Sequence, residues 1–234
     1  MRRRALVIVA ALAFALGVAL PALAAPDPGG TVIATIPLGH PADSAVFGAG
    51  SFWVIEPLTD TIARIDAGTN ALVARIPVGC CAEHNVAFGE GSLWVTNLHD
   101  NTVTRIDSAT NTVAATIQSG GFLPLGLGVT PGAVWVTNHH ADPNDPGSTG
   151  SVSRIDTATN TVVATIPVGA VLFCCGPQFV ATTQDAVWVG VVNLNAVGRI
   201  DPLTNTIVAT VKLKAARLRS ERAEAWSPTE RPSG

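Results

Sequence analysis

The amino-acid sequence predicts an all-β fold, namely a β-propeller of four-stranded antiparallel blades. The first observation is a repeat, in which Trp-Val, Arg-Ile-Asp and Thr-Asn follow one another along the chain. The second is a pattern of short β-branched runs between turns of Asn, Asp, Gly and Ser, which indicates strands and tight turns. A repeat of about 40 residues with four strands is typical of a propeller blade. The repeated tryptophans are Trp53, Trp94, Trp135 and Trp188.

The strands of one repeat are clearest around Trp94. They are predicted at Asn85–Phe88, Leu93–Thr96, Thr102–Ile106 and Thr112–Ile117. By the same pattern the propeller covers residues 31–211, with units at about 31–70, 71–111, 112–160 and 161–205 and a last strand at 206–211. The chain enters at Thr31–Ile36, which the repeat predicts to be an outer strand. Because the last unit already has its own outer strand, this first strand is surplus, and we expect an incomplete or open propeller.

Consecutive antiparallel strands place every second link on the same side of the array. The side with the outer-to-inner links and the second-to-third links is called the top face here, and the opposite side is the bottom face. The bottom links are short and repetitive, whereas the top links differ and carry an insertion between Trp135 and Arg154. Insertions concentrated on one face of a repeat array often mark a binding face.

Residues that recur in every unit are predicted to serve the architecture. The tryptophans are expected to be packing anchors. Arg105 and Asp107 of one Arg-Ile-Asp lie on the same side of their strand. We therefore expect this arginine and aspartate to pair, and Asp107 to cap the turn that follows. Residues that occur once, in a top link, are the candidates for function.

All five histidines fall in top links, and carboxylates accompany them. Imidazole and carboxylate groups bind divalent metal ions, and an acidic setting favours cationic ligands. His84, His99 and His139 come from adjacent units and are the predicted ligands of a divalent metal ion, the one cofactor that the sequence suggests. No motif of a nucleophilic triad, a phosphate-binding loop or a zinc protease occurs, so no catalytic residue is predicted. The predicted ligand-binding residues are Glu83, His84, His99, Asp100, His139 and His140.

The four cysteines form two vicinal pairs in equivalent top links of the second and fourth units, Cys80 with Cys81 and Cys174 with Cys175. Export favours disulfides, so we expect all four to be oxidised, and three connectivities are open. Vicinal bonds fit the recurrence of the pair at one structural position, although they are strained. Bonds between the pairs would need the two links to touch across a blade. A thiolate site for copper or zinc is the functional rival.

The start of the chain differs in composition from the repeats. Residues 1–24 predict a signal peptide, because Arg2–Arg4 precede an apolar run that ends at the small-x-small motif Ala22-Leu23-Ala24. Residues 25–30 follow as a linker. The apolar run is shorter than the ~20 residues of a membrane helix. We therefore expect a secreted or periplasmic protein with no membrane attachment after cleavage.

The end of the chain differs as well, because lysine occurs only from Lys212 onward, where the repeat stops. Residues 212–234 are predicted to be either a disordered basic tail or the product of a frameshift, which would make the chain a truncated, non-functional fragment. Within the repeats the basic residues are few, and most belong to Arg-Ile-Asp. A nucleic-acid partner is not expected, since that binding rests on clustered Lys and Arg.

Two segments resemble known families. Asn160–Gly169, preceded by Arg154-Ile155-Asp156, resembles the YVTN-type β-propeller repeat, and Leu93–Asn97 is similar to blades of virginiamycin B lyase-like propellers. The YVTN-type resemblance implies a propeller, mostly without assigned catalysis. The lyase-like resemblance implies a metal-assisted C–O lyase that uses His and Glu on the top of the propeller.

The leading hypothesis is a secreted or periplasmic binding module that takes a small ligand or a protein through its top-face links. The alternative is a metal-assisted lyase or hydrolase of the virginiamycin B lyase-like type. An open array also exposes strand edges and a blade face, which favours self-association.

Overall fold

The computed structural model describes residues 31–79, 85–140, 149–168, 176–191 and 195–213. The regular structure in these ranges is β-strand, arranged as four four-stranded antiparallel sheets whose strand order follows the sequence. Each sheet is one blade, so the predicted all-β class and the open array of blades are confirmed. The described part of the chain contains no helix long and apolar enough to cross a bilayer.

The strands of the first two blades follow the repeat closely. Blade 1 consists of β1 (Ala45–Gly48), β2 (Ser51–Glu56), β3 (Thr61–Asp66) and β4 (Leu72–Pro77). Blade 2 consists of β5 (Val86–Gly89), β6 (Ser92–Asn97), β7 (Thr102–Asp107) and β8 (Thr112–Gln118).

The last two blades have longer or less regular inner strands. Blade 3 consists of β9 (Phe122–Thr130), β10 (Ala133–His140), β11 (Ser151–Asp156) and β12 (Thr161–Pro167). Blade 4 consists of β13 (Pro177–Thr182), β14 (Val187–Val191), β15 (Ala196–Asp201) and β16 (Thr206–Lys212).

The turn between the third and fourth strands of a blade is built by an aspartate and an asparagine. In blade 2, Asp107 Oδ1 accepts hydrogen bonds from the backbone N–H groups of Ala109 and Thr110 at 2.8 and 2.9 Å. These bonds favour the ionised carboxylate and hold the pKa of Asp107 below its usual range. Asn111 ends the turn with φ at +59°, a left-handed conformation that asparagine tolerates. The predicted turn cap is therefore confirmed.

The predicted pairing of Arg105 with Asp107 is wrong. Arg105 Nε donates to Ser92 Oγ of its own blade at 2.9 Å, and Nη1 reaches blade 3, where it donates to Thr157 O at 2.7 Å and to Asn160 Oδ1 at 2.9 Å. The guanidinium passes over the Trp94 ring, 4.9 Å from the ring centroid. The physical reason is that the turn amides already occupy an oxygen of Asp107. The broad guanidinium can instead satisfy a carbonyl and an amide oxygen of the next blade together.

The tryptophans of the first three blades are packing anchors, as predicted. Trp53, Trp94 and Trp135 are fully buried, and each packs against the blade that follows its own. Trp53, for example, shares a core cluster with Leu93 and Val95 of blade 2. Aromatic side chains of this size supply a large part of the apolar area that an interface buries. The blades are therefore joined face to face through their tryptophans.

The predicted outer strand at 31–36 is wrong, because residues 31–38 belong to no described sheet. Ile36, Leu38 and Ala42 instead pack against Val54 and Ile65 on the face of blade 1 that no other described blade covers. The physical reason is that the segment buries its apolar side chains against this apolar face, and it does so without pairing with the edge of a sheet. Blade 1 obtains its fourth strand from β4, which the repeat also predicted.

Candidate functional site

The antiparallel wiring brings the described candidate residues to the top face. His40 lies in the bend that precedes β1, and His99 and Asp100 lie in the turn between β6 and β7. The prediction that all five histidines lie in top links is wrong for His139 and His140, because they are the last two residues of β10 and His140 pairs with Phe122 of β9 at the top end of that strand. Glu83, His84 and the four cysteines, Cys80, Cys81, Cys174 and Cys175, lie outside the described residues. Their predicted roles stay predictions.

His139 and His140 form a direct pair at the top of blade 3. Their rings meet edge to face with centroids 4.4 Å apart, and His139 Nδ1 lies 2.8 Å from His140 Nε2, so one nitrogen donates to the other. Burial, and next the neighbouring His139 ring, lower the pKa of His140. This imidazole is therefore neutral at pH 7. His140 Nδ1 is buried without a hydrogen-bond partner. A neutral ring with an unpartnered nitrogen suits a metal ion or a hydrogen-bonding ligand.

His99 and Asp100 form an exposed tip at the top of blade 2. A Cβ atom added at Gly79 would lie 2.7 Å from Asp100 Oδ2, so this carboxylate packs against the end of the link that continues into residues 80–84. A Cβ atom at Gly176 would similarly lie 2.6 Å from His139 O, where the link of residues 169–175 ends. The described candidates therefore border the two links that hold the cysteines and His84.

The residue pattern missed a row of buried polar side chains directly beneath the top links. Glu56, Asn97 and Asn138 occupy the same position at the top of the second strand in blades 1, 2 and 3, and all three are fully buried. These three residues are regularly spaced in the sequence. A repeated position is not recognised as a candidate when only residues that occur once in a link are considered functional.

The two asparagines of this row each keep one polar atom without a partner. Asn97 Nδ2 donates to the hydroxyls of Thr102 and Thr104, both at 2.8 Å, and Asn138 Nδ2 donates to Ser153 Oγ at 2.8 Å. The Oδ1 atoms of Asn97 and Asn138 are buried and accept no hydrogen bond. Leaving such an oxygen unsatisfied costs about 1–3 kcal/mol. These oxygens add acceptor groups to the region below the histidines.

The predicted metal site is not assembled within the described residues, among which no group of three His, Cys, Asp or Glu side chains could hold a metal ion. Because His84 lies outside them, the triad of His84, His99 and His139 stays a prediction. The described cavities lie elsewhere. One of about 190 Å³ lies between blades 3 and 4, and one of about 390 Å³ lies on the uncovered face of blade 1.

The comparisons with known proteins define the class of this fold. No protein-family model matches the chain, and no curated protein sequence matches it. Among solved structures, the virginiamycin B lyase of Staphylococcus aureus is similar at 18% identity with a TM-score of 0.60, covering 76% of this chain and 58% of that one. A streptogramin B lyase structure is similar at 18% identity with a TM-score of 0.61, covering 77% of this chain and 58% of that one.

A third similar structure is the Kuenenia stuttgartiensis hydrazine synthase, at 17% identity with a TM-score of 0.60, covering 70% of this chain and 46% of that one. The chain thus spans about half the length of the solved structures that it matches. Identities this low show the fold alone. The protein has a β-propeller-like fold of the kind found in virginiamycin B lyase. The YVTN-type resemblance is not confirmed and stays a prediction.

Proposed function

We propose that the chain is a secreted or periplasmic binding module whose top face takes a cationic ligand, with a divalent metal ion as the simplest case. The observation that carries this proposal is the unequal use of the two faces. On the bottom face, the repeated turns use their carbonyl and asparagine oxygens to accept the arginine of the preceding blade. The polar groups of the bottom turns therefore hold neighbouring blades together. The top links do not make these repeated inter-blade bonds, so their sequences can vary and bind a ligand.

The chemistry of the top face fits such a ligand. Imidazole nitrogens and carboxylate oxygens are ligands for divalent ions such as Zn²⁺. His140 is neutral and has a buried nitrogen without a partner, and His139 lies beside it. Asp100 contributes a negative charge one blade away. His84, Glu83 and His99 complete the proposed set of groups.

Zinc titration of the exported protein tests the proposal. The mature chain is purified from the extracytoplasmic fraction, where its mass should show a first residue at Ala25, and Zn²⁺ binding is measured by isothermal titration calorimetry. The triple variant His84→Ala, His99→Ala, His139→Ala should lose binding while it keeps its circular dichroism spectrum, since His99 lies in an exposed turn and His139 lies at the very end of β10. The matched control is Glu90→Gln in a bottom turn, which should bind zinc like the parent protein.

Two results would contradict the proposal. Zinc binding that survives the triple change and disappears when the cysteines are replaced would assign the metal to thiolates. Loss of binding in the Glu90→Gln variant would mean that the bottom face is the binding face. The thiol content is measured alongside, so that reduced cysteines are recognised as a competing zinc site.

The alternative of a lyase or hydrolase is favoured by the fold shared with two lyase structures. It requires the same metal site, since the chemistry implied by the resemblance is metal-assisted. An assay of C–O bond cleavage in virginiamycin B with and without zinc distinguishes the two functions. Turnover that depends on His84, His99 and His139 would replace the binding role with an enzymatic one.

A further inference from the structure

Successive blades are joined by one polar interface that recurs with equivalent atoms. Arg64 of blade 1 donates from Nη1 to Ser108 O at 2.7 Å and to Asn111 Oδ1 at 2.6 Å in blade 2. Arg105 makes the equivalent bonds to blade 3. Arg154 makes them to blade 4, to Pro202 O and Asn205 Oδ1, each at 3.1 Å. Each blade thus has a donor face, which is directed to the next blade and carries the arginine. It also has an acceptor face, directed to the preceding blade.

The apolar part of this interface is equally regular. Trp53 on the donor face of blade 1 is fully buried against the acceptor face of blade 2. The fourth strand adds one isoleucine to each donor face, and these isoleucines are between 4% and 6% exposed: Ile76, Ile117 and Ile166. The blade 2 residues of the cluster around Trp53 are Val86, Phe88, Leu93, Val95 and Ile106.

Blade 4 presents the same donor face, and no described blade covers it. Trp188 is only partly buried, and Val211, at the position of the isoleucine, is 50% exposed. Phe179, on the same side of the sheet, is 62% exposed. Arg199 lies over Trp188 as its counterparts lie over theirs, but its Nη2 is 3.6 Å from the carboxylate of Asp185, a side chain that is 80% exposed. The donor groups of blade 4 are thus present without their usual acceptors.

Blade 1 presents the complementary acceptor face. The face of blade 1 that no other described blade covers forms a cavity of about 390 Å³ between the sheet and Ile36, Leu38 and Ala42. Val54 and Ile65 are already buried there, whereas Phe47 is 56% exposed. The cavity is lined by the repeat equivalents of all five residues that surround Trp53 in blade 2: Ala45, Phe47, Phe52, Val54 and Ile65. The cavity therefore lies where the repeat places the tryptophan of a preceding blade.

The polar acceptors of blade 1 are unmatched as well. By the repeat, the oxygens that would receive an arginine are the Ala67 carbonyl and Asn70 Oδ1. No side chain in the described part of the chain donates to either oxygen. Within the described ranges, one chain thus carries an unmatched donor face on blade 4 and an unmatched acceptor face on blade 1.

We propose that the donor face of blade 4 docks onto the acceptor face of blade 1 in a second copy of this chain. Trp188 enters the cavity beside Phe47, and Arg199 leaves Asp185 to donate to Ala67 O and Asn70 Oδ1. The exposed ion pair that is given up contributes little, because solvent screens it. The bonds that replace it are those of the three internal interfaces, and the tryptophan becomes buried as in blades 1 to 3.

This docking is heterologous, since two different faces of the chain meet. Two copies that dock reciprocally close a ring of about eight blades, which is within the range of known propellers. Copies that dock at one end only form a linear assembly, as heterologous contacts do when the rotation does not close. Both assemblies use the same interface.

Sedimentation velocity of the full mature chain over a range of concentrations tests the proposal. We expect oligomers that dissociate on dilution. Trp188→Ser and Arg199→Ala each disable the donor face, and Phe47→Ser combined with Asn70→Gly disables the acceptor face. Asn70→Gly keeps the left-handed turn, in which φ is +59°. Each variant alone should sediment as a monomer. A mixture of donor-deficient and acceptor-deficient protein should form a dimer and nothing larger, because one complete interface remains for each pair.

The matched control is Val163→Ser, which removes a side chain that is 53% exposed on the outer strand of blade 3 and should leave association unchanged. Circular dichroism confirms that each variant is folded, and Arg199→Ala removes no buried apolar group. A parent protein that stays monomeric at every concentration would overturn the proposal, with residues 214–234 of the same chain as the alternative cover of blade 4. An oligomer that persists in both classes of variant, or a mixture that does not form the dimer, would overturn it as well.

Discussion

At the scale of single residues, one buried position shows two solutions to the same problem. In blade 1 this position is Glu56, whose carboxylate accepts hydrogen bonds from Arg75 Nε at 2.9 Å and Nη2 at 3.2 Å. In blade 2 it is Asn97, which binds two threonine hydroxyls instead. A buried carboxylate needs a charged partner, whereas a neutral amide does not. The arginine is therefore present in the blade that has the carboxylate.

Replacement of Arg75 by Ala should destabilise the protein strongly. Among the described residues, the change leaves the fully buried Glu56 carboxylate with Thr61 as its remaining side-chain donor. We expect a loss of about 3 kcal/mol in the free energy of unfolding, measured by chemical denaturation at pH 7. The double variant Arg75→Ala, Glu56→Gln removes the unpaired charge and should recover at least half of this loss. Equal stability of the single and double variants would show that the charge is not the cause.

At the scale of elements, the arginine of Arg-Ile-Asp joins two blades, because its Nη1 donates to the turn between the third and fourth strands of the next blade. The guanidinium covers its own tryptophan and bonds to a turn of the next blade, so the aromatic packing and the polar bonds are made by one side chain. A β-bulge follows this arginine in the pairing of the third and fourth strands in all four blades. Bulges re-aim side chains at the point where they occur.

The chain offers a matched pair of variants for this contact. Arg105→Ala removes two hydrogen bonds to blade 3, one hydrogen bond to Ser92 of its own blade and the cation–π contact with Trp94. We expect a loss of about 2–4 kcal/mol in the free energy of unfolding, from hydrogen bonds and a cation–π contact in a partly buried site. Arg199→Ala removes an exposed ion pair and should cost less than about 1 kcal/mol at a concentration where the chain is monomeric. Equal losses in the two variants would contradict the bridging role.

At the scale of the whole molecule, the described blades form an array in which packing joins neighbours in sequence. Described blades cover both faces of blades 2 and 3 but one face of blade 4, and every residue of β16 is exposed among the described residues. In such arrays the total stability is the sum of the intrinsic stability of each repeat and the interaction free energy between each pair of neighbouring repeats. The end blades are therefore expected to open more readily than the central blades.

Hydrogen exchange followed by mass spectrometry measures this difference. We expect the amides of β7 to exchange at least about tenfold more slowly than those of β15, which corresponds to about 1.4 kcal/mol of additional interface energy. The two strands have equivalent positions and similar sequences, so intrinsic exchange differs little. At high concentration the protection of β15 should rise if copies dock through blade 4. Uniform protection of all four blades in the monomer would contradict the additive view.

The candidate site could be predicted from the sequence only in part. The wiring of the blades brings His99 and His139 to one face, and this follows from strand alternation, which is local and repeated. The ring contact between His139 and His140 could not be predicted, because adjacent residues on a strand ordinarily point to opposite sides. The partnerless amide oxygens of Asn97 and Asn138 depend on how the top links cover them, and no spacing encodes that.

The sequence by itself determined the four described blades, the strand order, the turn chemistry and the packing role of Trp53, Trp94 and Trp135. Each of these is set by alternation and punctuation within one repeat, and each is written several times along the chain. Only the tertiary structure decided where Arg105 binds, that residues 36–42 pack against part of the outer face of blade 1, and that the described parts of blades 1 and 4 leave complementary groups unmatched. The physical reason is that these features depend on which blade lies next to which. The partners available to a side chain on a blade face are those of the blade that packs against it.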